Sequence, residues 1–197
     1  MNKSILLLFT AVLVSLSGFS QSKEQREAAN KWPLTFKVAA GKNESKSHKD
    51  TKGKSSGRSS TQVKTTERKM NWTAKVDCRS TNFTEKVEIK AYYIGTEDGD
   101  FAIIGTDKYP VQFDEKGRAT VELSSPTAKL VKTTKRTGGR RGRMEKEVKG
   151  ERINGLVAQL VVNGTIVKTF TSQPSWAKGA WASDLSEADL RPGAGKK

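Results

Sequence analysis

The chain has 197 residues, a formal net charge of +15 and a hydrophobic fraction of 34%. This length allows one packed domain with tails, and the polar composition excludes a protein built mainly of membrane-spanning helices. With a single histidine and a single cysteine, the chain can form neither a framework of internal disulfides nor an ordinary structural zinc site.

The first twenty residues have the order of a secretory signal peptide. Lys3 supplies the positive region, an apolar run at residues 5–19 follows, and Gly18 and Ser20 are the small residues needed for cleavage before Gln21. The apolar run is shorter than the ~20 residues that span a bilayer. We therefore predict a secreted or periplasmic protein that loses residues 1–20 and retains a short N-terminal segment at 21–31.

Residues 41–66 form the first strongly basic stretch. They are mostly Lys, Ser, Thr and Gly, with almost no apolar side chain. Ordering them would bury little surface against the backbone entropy lost. We predict a disordered basic loop here, within a β domain at 32–175. His48, the only histidine, lies in this loop and is a poor candidate for catalysis because nothing would hold it in position.

Most of the remaining chain alternates apolar and polar residues, which is typical of half-buried β-strands. In the clearest example, Trp72, Ala74, Val76 and Cys78 alternate with polar neighbours. Cys78 is thus expected to be a small buried residue, with an intermolecular disulfide as the alternative. The pattern predicts strands at 70–78, 87–93 and 119–123, and weaker ones at 34–38, 101–104 and 109–113.

Asn163-Gly164, between two runs rich in β-branched residues, predicts a tight hairpin turn, since both central residues of that turn need positive φ. Apolar side chains occur on both faces of this hairpin, which predicts a central position in the sheet. The expected register pairs Val161 with Ile166, Leu160 with Val167 and Val157 with Phe170.

About eight to ten short strands predict a two-layer antiparallel sandwich. Trp72 and the strand-turn-strand segment at 113–123 resemble passages of bacterial immunoglobulin-like modules of exported envelope proteins. The chain departs from antibody-type domains because one cysteine cannot provide their Cys-Trp-Cys signature. The resemblance implies an all-β, antiparallel immunoglobulin-like β-sandwich with an adhesive or scaffolding role.

A second basic stretch predicts a strand at 128–134 and a projecting turn at 137–143. Its side chains could bind phosphate, sulfate or carboxylate groups, and arginine can do so with two hydrogen bonds. The expected partners are an anionic polysaccharide, an anionic membrane surface or an envelope protein, with extracellular DNA as a further possibility; plain solvated surface is the alternative. The candidate anion- or partner-binding residues are Lys132, Lys135, Arg136, Arg140, Arg141 and Arg143.

The C-terminal tail, residues 176–197, is expected to be irregular, with one or two helical turns that Ser183 could cap. Trp176 and Trp181 either form an exposed platform for a sugar or a protein partner, or cover an open end of the sandwich. The second alternative is favoured because large exposed apolar groups are costly.

The densest acidic cluster, residues 97–100, predicts a turn at Asp98-Gly99, with calcium binding or carboxylate catalysis as alternatives. We expect no metal, no cofactor and no enzymatic activity. The predicted function is an exported binding or adhesion module that engages an anionic surface or a protein partner through basic loops. Alternatives are a structural subunit or accessory of a surface assembly such as a pilus and, less favoured, a carboxylate-dependent enzyme acting on polysaccharide.

Overall fold

The computed structural model describes residues 27, 31–53, 59–80, 82–137 and 143–190. The predicted signal peptide lies outside these ranges. Within them the chain is all-β, with two short 3-10 turns and one short helix near the C-terminus. The strands are β1 (Leu34–Ala40), β2 (Glu44–Gly53), β3 (Ser59–Lys69), β4 (Asn71–Cys78), β5 (Val87–Glu97), β6 (Asp100–Pro110), β7 (Arg118–Ser124), β8 (Ala128–Thr137), β9 (Arg143–Val162) and β10 (Thr165–Thr171).

The strands form two antiparallel sheets. The smaller sheet has the order β1-β4-β7, and the larger has the order β2-β3-β8-β9-β5-β6, with β10 also paired to β9. Apolar residues of both sheets share one core, so the sheets pack face to face. The prediction of an all-β antiparallel sandwich is confirmed.

The core is built from the inward-facing positions that the alternation indicated. Val76 and Leu123 of the smaller sheet and Ile89 and Leu160 of the larger sheet are fully buried in it. Such side chains contribute about 1.5–3 kcal/mol each when they are removed from water. Cys78 is also buried, at 8% exposed, and forms no disulfide, in agreement with its expected packing role.

The β9–β10 hairpin turns at the predicted place. Asn163 and Gly164 have φ of 48° and 83°, and β9 lies between β5 and β10, so the turn and the central position are confirmed. Ile166 pairs with Val161 as expected, but a bulge at Val167 then pairs Lys168 with Leu160. The remaining predicted register is therefore wrong by one residue. The bulge allows consecutive Ile166 and Val167 both to be buried.

The prediction of a disordered loop at 41–66 is wrong for β2 and β3. The β1–β4 ladder continues after Gly41 into the β2–β3 ladder, and β3 also pairs with β8. One long hairpin thus begins in the smaller sheet and ends in the larger one. The order of β2 and β3 comes from pairing with neighbouring strands rather than from burial. The three threonines of β3 also suit a strand.

The C-terminal tail packs on the outer face of the larger sheet up to Leu190. Its buried residues contact the outward-facing side chains of β5 and β9. The Gln159 amide nitrogen of β9 donates hydrogen bonds to the Ala180 and Ala182 carbonyl oxygens, both at 2.8 Å. The tail therefore covers a sheet face and not an open end of the sandwich. The short helix spans Glu187–Leu190 and begins after Ser186, where Asp189 accepts hydrogen bonds from Ser186, not at Ser183.

Candidate functional site

Four strand segments extend beyond the sandwich as a sheet that we call the arm: β2, β3, β8 and residues 143–150 of β9. Their ladders run without register shifts. Eight pairs at ~3.4 Å per residue make the β8–β9 part roughly 27 Å long, and four strands at ~4.8 Å spacing make the arm about 15 Å wide. Apart from Ala128 at its root, no described side chain of the arm is buried.

The arm is strongly basic. Its strands carry thirteen Lys and Arg against five Asp and Glu. Side chains in a strand alternate between the two faces, and residues directly opposite each other in an antiparallel pair lie on the same face. The strand registers therefore assign each described charged side chain of the arm to one of the two faces.

The two faces of the arm differ in the signs of the charges that they carry. One face carries six cations and none of the five acidic residues, and we call it the acid-free face. Lys49, Lys64 and Lys132 lie in one row across three adjacent strands of it, with neighbouring Cα atoms about 5 Å apart. The six cations are Lys49, Lys64, Arg68, Lys132, Arg136 and Lys146.

All five acidic residues lie on the opposite face, which we call the mixed face. Lys149 contacts Glu147 at 2.8 Å, and His48 contacts Asp50 at 3.0 Å. The hydrogen bond and charge of Lys149 lower the pKa of Glu147, and Glu147 in turn raises the pKa of Lys149. The mixed face is thus partly neutralised by its own residues, and the acid-free face is not.

The acid-free face also carries exposed apolar side chains. Met144 and Val148, with 56% and 50% of their surface exposed, are the exposed large hydrophobic residues of the described chain. Both are paired with residues of the acid-free face, Arg136 and Lys132, and Lys146 lies between them on the same strand. Charge and apolar surface therefore occur together along one edge of this face.

The predicted anion-binding residues divide between the faces. Lys132 and Arg136 lie on the acid-free face, whereas Lys135 and Arg143 lie on the mixed face. Arg140 and Arg141 lie outside the described residues. Four further members of this face were not predicted as site residues: Lys49, Lys64, Arg68 and Lys146. The β-branched residues at alternate positions of β3, Thr61, Val63 and Thr65, could have indicated a strand.

The prediction of an exposed tryptophan platform is wrong for Trp176. This side chain is 3% exposed and packs against Phe101, with ring centroids 6.3 Å apart. Trp181 is partly buried in the tail. The tail does fold back onto the sandwich, but it covers the outer face of the larger sheet and not the open end that was predicted.

The acidic cluster at 97–100 is the predicted hairpin turn. Asp98 and Gly99 have φ of 50° and 99°, and the Asp98 carboxylate accepts a hydrogen bond from the Gly150 amide at the root of the arm. Within the described ranges, no three side chains of His, Cys, Asp or Glu form a group that could hold a metal ion. In the same ranges, no helix is long and apolar enough to cross a membrane.

No protein-family model, curated protein or solved structure matches this chain.

Proposed function

We propose that the protein is an exported, non-enzymatic binding module in which an immunoglobulin-like sandwich presents the basic arm to an anionic surface. The observation that carries this proposal is the acid-free face, where six cations lie on one exposed sheet surface with no acidic residue among them. Partner anions supply the countercharge that the face lacks.

The strand order of the core supports the immunoglobulin-like class. Without the arm strands, the first, second and fifth core strands (β1, β4 and β7) form one sheet. The seventh, sixth, third and fourth core strands (β10, β9, β5 and β6) form the other. A seven-stranded sandwich with such crossing connections is typical of this class. The arm is then an elaboration of two connections, one between β1 and β4 and one between β7 and β9.

The energetics of the arm also support an external ligand. A sheet that exposes both faces gains little burial, and isolated sheets of this kind are marginal without a hydrophobic face or a packed neighbour. Like charges directly opposite each other, as Lys49 and Lys64 are, are destabilising. Anions bound on the acid-free face remove this repulsion, so binding and ordering of the arm reinforce each other.

The edge of the arm bears on the second candidate function, a subunit of a surface assembly. Among the described strands, β2 pairs only with β3, so its outer edge could pair with a strand of another protein. Its lysines, among them Lys46 and Lys49, are the residue type that opposes edge-to-edge pairing. This feature favours the anion-binding function over strand-mediated assembly.

The test is retention on immobilised heparin, a sulfated polyanion, across a salt gradient. The variant K49Q/K64Q/K132Q removes three cations from the acid-free face. The matched control K46Q/K129Q/K135Q removes three exposed cations from the mixed face, so both variants have the same net charge. We expect the first variant to elute at distinctly lower salt than the control, because charge interactions with a surface are screened within about 8–10 Å.

Equal elution of the two variants would show that only net charge matters and would contradict the proposal. Salt-insensitive association with a second protein would instead favour the surface-assembly function.

A further inference from the structure

Given the proposed function, we infer that the anionic surface is a lipid bilayer rich in anionic headgroups, and that the acid-free face lies flat on it. Met144 and Val148 then enter the headgroup region. The chemistry of this face and its shape both lead to this partner.

The shape of the face fits a plane of charge. Its six cations extend over all four strands of a sheet roughly 27 Å by 15 Å. Lys and Arg side chains reach outward from apolar stems and place their charged ends at the level of the headgroups. Anionic lipids attract basic residues near the surface, and the attraction falls off within a Debye length. On a sheet of this size, long flexible side chains allow all six cations to come within that distance together.

The apolar residues distinguish a bilayer from a purely polar polyanion. Met144, Lys146 and Val148 alternate so that all three project from the acid-free face along the edge of the arm. Large apolar side chains exposed to about half of their surface gain stability from the boundary between headgroups and acyl chains. A linear sulfated or phosphorylated chain offers them no such environment.

The composition of the arm favours a lipid surface over a nucleic acid or a sugar as the partner. Residues 44–69 and 127–150 contain no Phe, Tyr or Trp. Binding of single-stranded nucleic acid depends on stacking of bases on aromatic side chains, and aromatic rings give the large flat contact that sugars use. The arm provides charge and aliphatic contact, which are the two interactions that a bilayer surface requires.

The experiment measures co-sedimentation with phosphatidylcholine vesicles that contain or lack phosphatidylglycerol. Three variants are compared with the wild type: K49Q/K64Q/K132Q, the matched control K46Q/K129Q/K135Q, and M144S/V148S. All four proteins are produced as the secreted form without residues 1–20, so that the apolar run at 5–19 does not contribute to vesicle binding. Circular dichroism and the urea midpoint of each variant establish that the sandwich is folded.

We expect binding only to vesicles that contain phosphatidylglycerol. The K49Q/K64Q/K132Q variant should have a partition coefficient lower than that of the wild type on the order of 100-fold, since each lysine near such a surface contributes about fivefold. The control variant K46Q/K129Q/K135Q should lower it by less than about tenfold. M144S/V148S should bind at low salt but lose roughly tenfold in affinity at high salt, where the apolar contact remains in the wild type.

Three results would contradict the inference in whole or in part. In the first, K49Q/K64Q/K132Q reduces heparin retention more than K46Q/K129Q/K135Q does, but vesicles are not bound or are bound equally by the two variants. The bilayer assignment is then wrong, and the proposed anion-binding function stands. If neither probe distinguishes the two variants, the proposed function fails as well. Unchanged high-salt vesicle binding by M144S/V148S would contradict the insertion of those two side chains.

Discussion

Lys64 and Lys132 lie directly opposite each other in neighbouring strands of the arm, with their side chains on the same face. Lys49 extends the row on the other side of Lys64. Three aligned ammonium groups repel each other, and nothing acidic lies on that face to compensate. The arrangement lowers the stability of the arm in isolation, and an anion bound on this face would offset the repulsion.

Replacing Lys132 by Glu should stabilise the arm by about 0.2–1 kcal/mol, because a carboxylate then lies opposite Lys64. Amide hydrogen exchange over residues 59–69 should slow. The control is K135E, whose cross-strand neighbour on the mixed face is Glu145. That change places like charges opposite each other and should speed exchange. Exchange that changes in the same direction in both variants would contradict the cross-strand argument.

Gly150 marks the junction between the arm and the sandwich. Its φ is +104°, and a Cβ there would lie 2.1 Å from the Lys129 carbonyl oxygen. Gly99 has a similar φ of +99° but open space around its Cβ position. Both substitutions to Ala carry backbone strain of about 1–3 kcal/mol, and G150A adds a clash with backbone. Urea unfolding should show G150A as clearly less stable than G99A. Equal urea midpoints would contradict this prediction and would mean that the backbone at the junction moves to admit the Cβ atom without cost.

Gln159 connects the tail to the sheet. The variant Q159M keeps the volume of the side chain but leaves the Ala180 and Ala182 carbonyl oxygens without their donor, at a cost of about 1–3 kcal/mol. Hydrogen exchange over residues 172–190 should accelerate more than exchange in β4. A uniform acceleration of both regions would show that the tail and the sandwich unfold as one unit.

Tyr93 should make stability fall at alkaline pH. Burial raises the pKa of its hydroxyl above the ordinary value of 10.0, and its hydrogen bond with the Tyr109 hydroxyl, at 2.9 Å, adds to the effect. The unfolded chain therefore releases this proton first, so the stabilisation is present below pH 10 and declines as the pH rises above it.

The matching variant is Y93F. Near neutral pH its free energy of unfolding should be about 0.5–1.5 kcal/mol lower than that of the wild type, because the hydrogen bond to Tyr109 is lost. The difference in unfolding free energy between wild type and Y93F should shrink between about pH 9 and pH 11. The lysines, which also titrate there, are the same in both proteins. A difference that does not change with pH would contradict the assignment to Tyr93.

The parts of the fold that follow from local chemistry were predictable. Asn163-Gly164 and Asp98-Gly99 require positive φ, and the alternation around Trp72 and Val76 has one physical interpretation. Within the arm, the strand predicted at 128–134 is present in β8. The polarity of β2 and β3 predicts disorder, whereas these two strands are ordered by continuing the β1–β4 ladder and by pairing with β8.

The acid-free face depends on registers between distant segments. Lys64 and Lys132 lie 68 positions apart in the chain and become neighbours only through the β3–β8 pairing. No local sequence pattern indicates whether Lys132 or Lys135 lies on the same face as Lys64. The charge of the site could therefore be predicted from composition, but its division into two unlike faces could not.

β9 is one strand from Arg143 to Val162, and it belongs to the arm at its beginning and to the core at its end. If the arm is held and the sandwich is pulled parallel to the arm strands, the force is directed along this strand into the ladder that it forms with β5. Hydrogen bonds of an antiparallel ladder lie perpendicular to the strands, so such a force loads many of them in shear at once rather than peeling them apart in turn. The attachment is thus mechanically coupled to the most buried part of the protein.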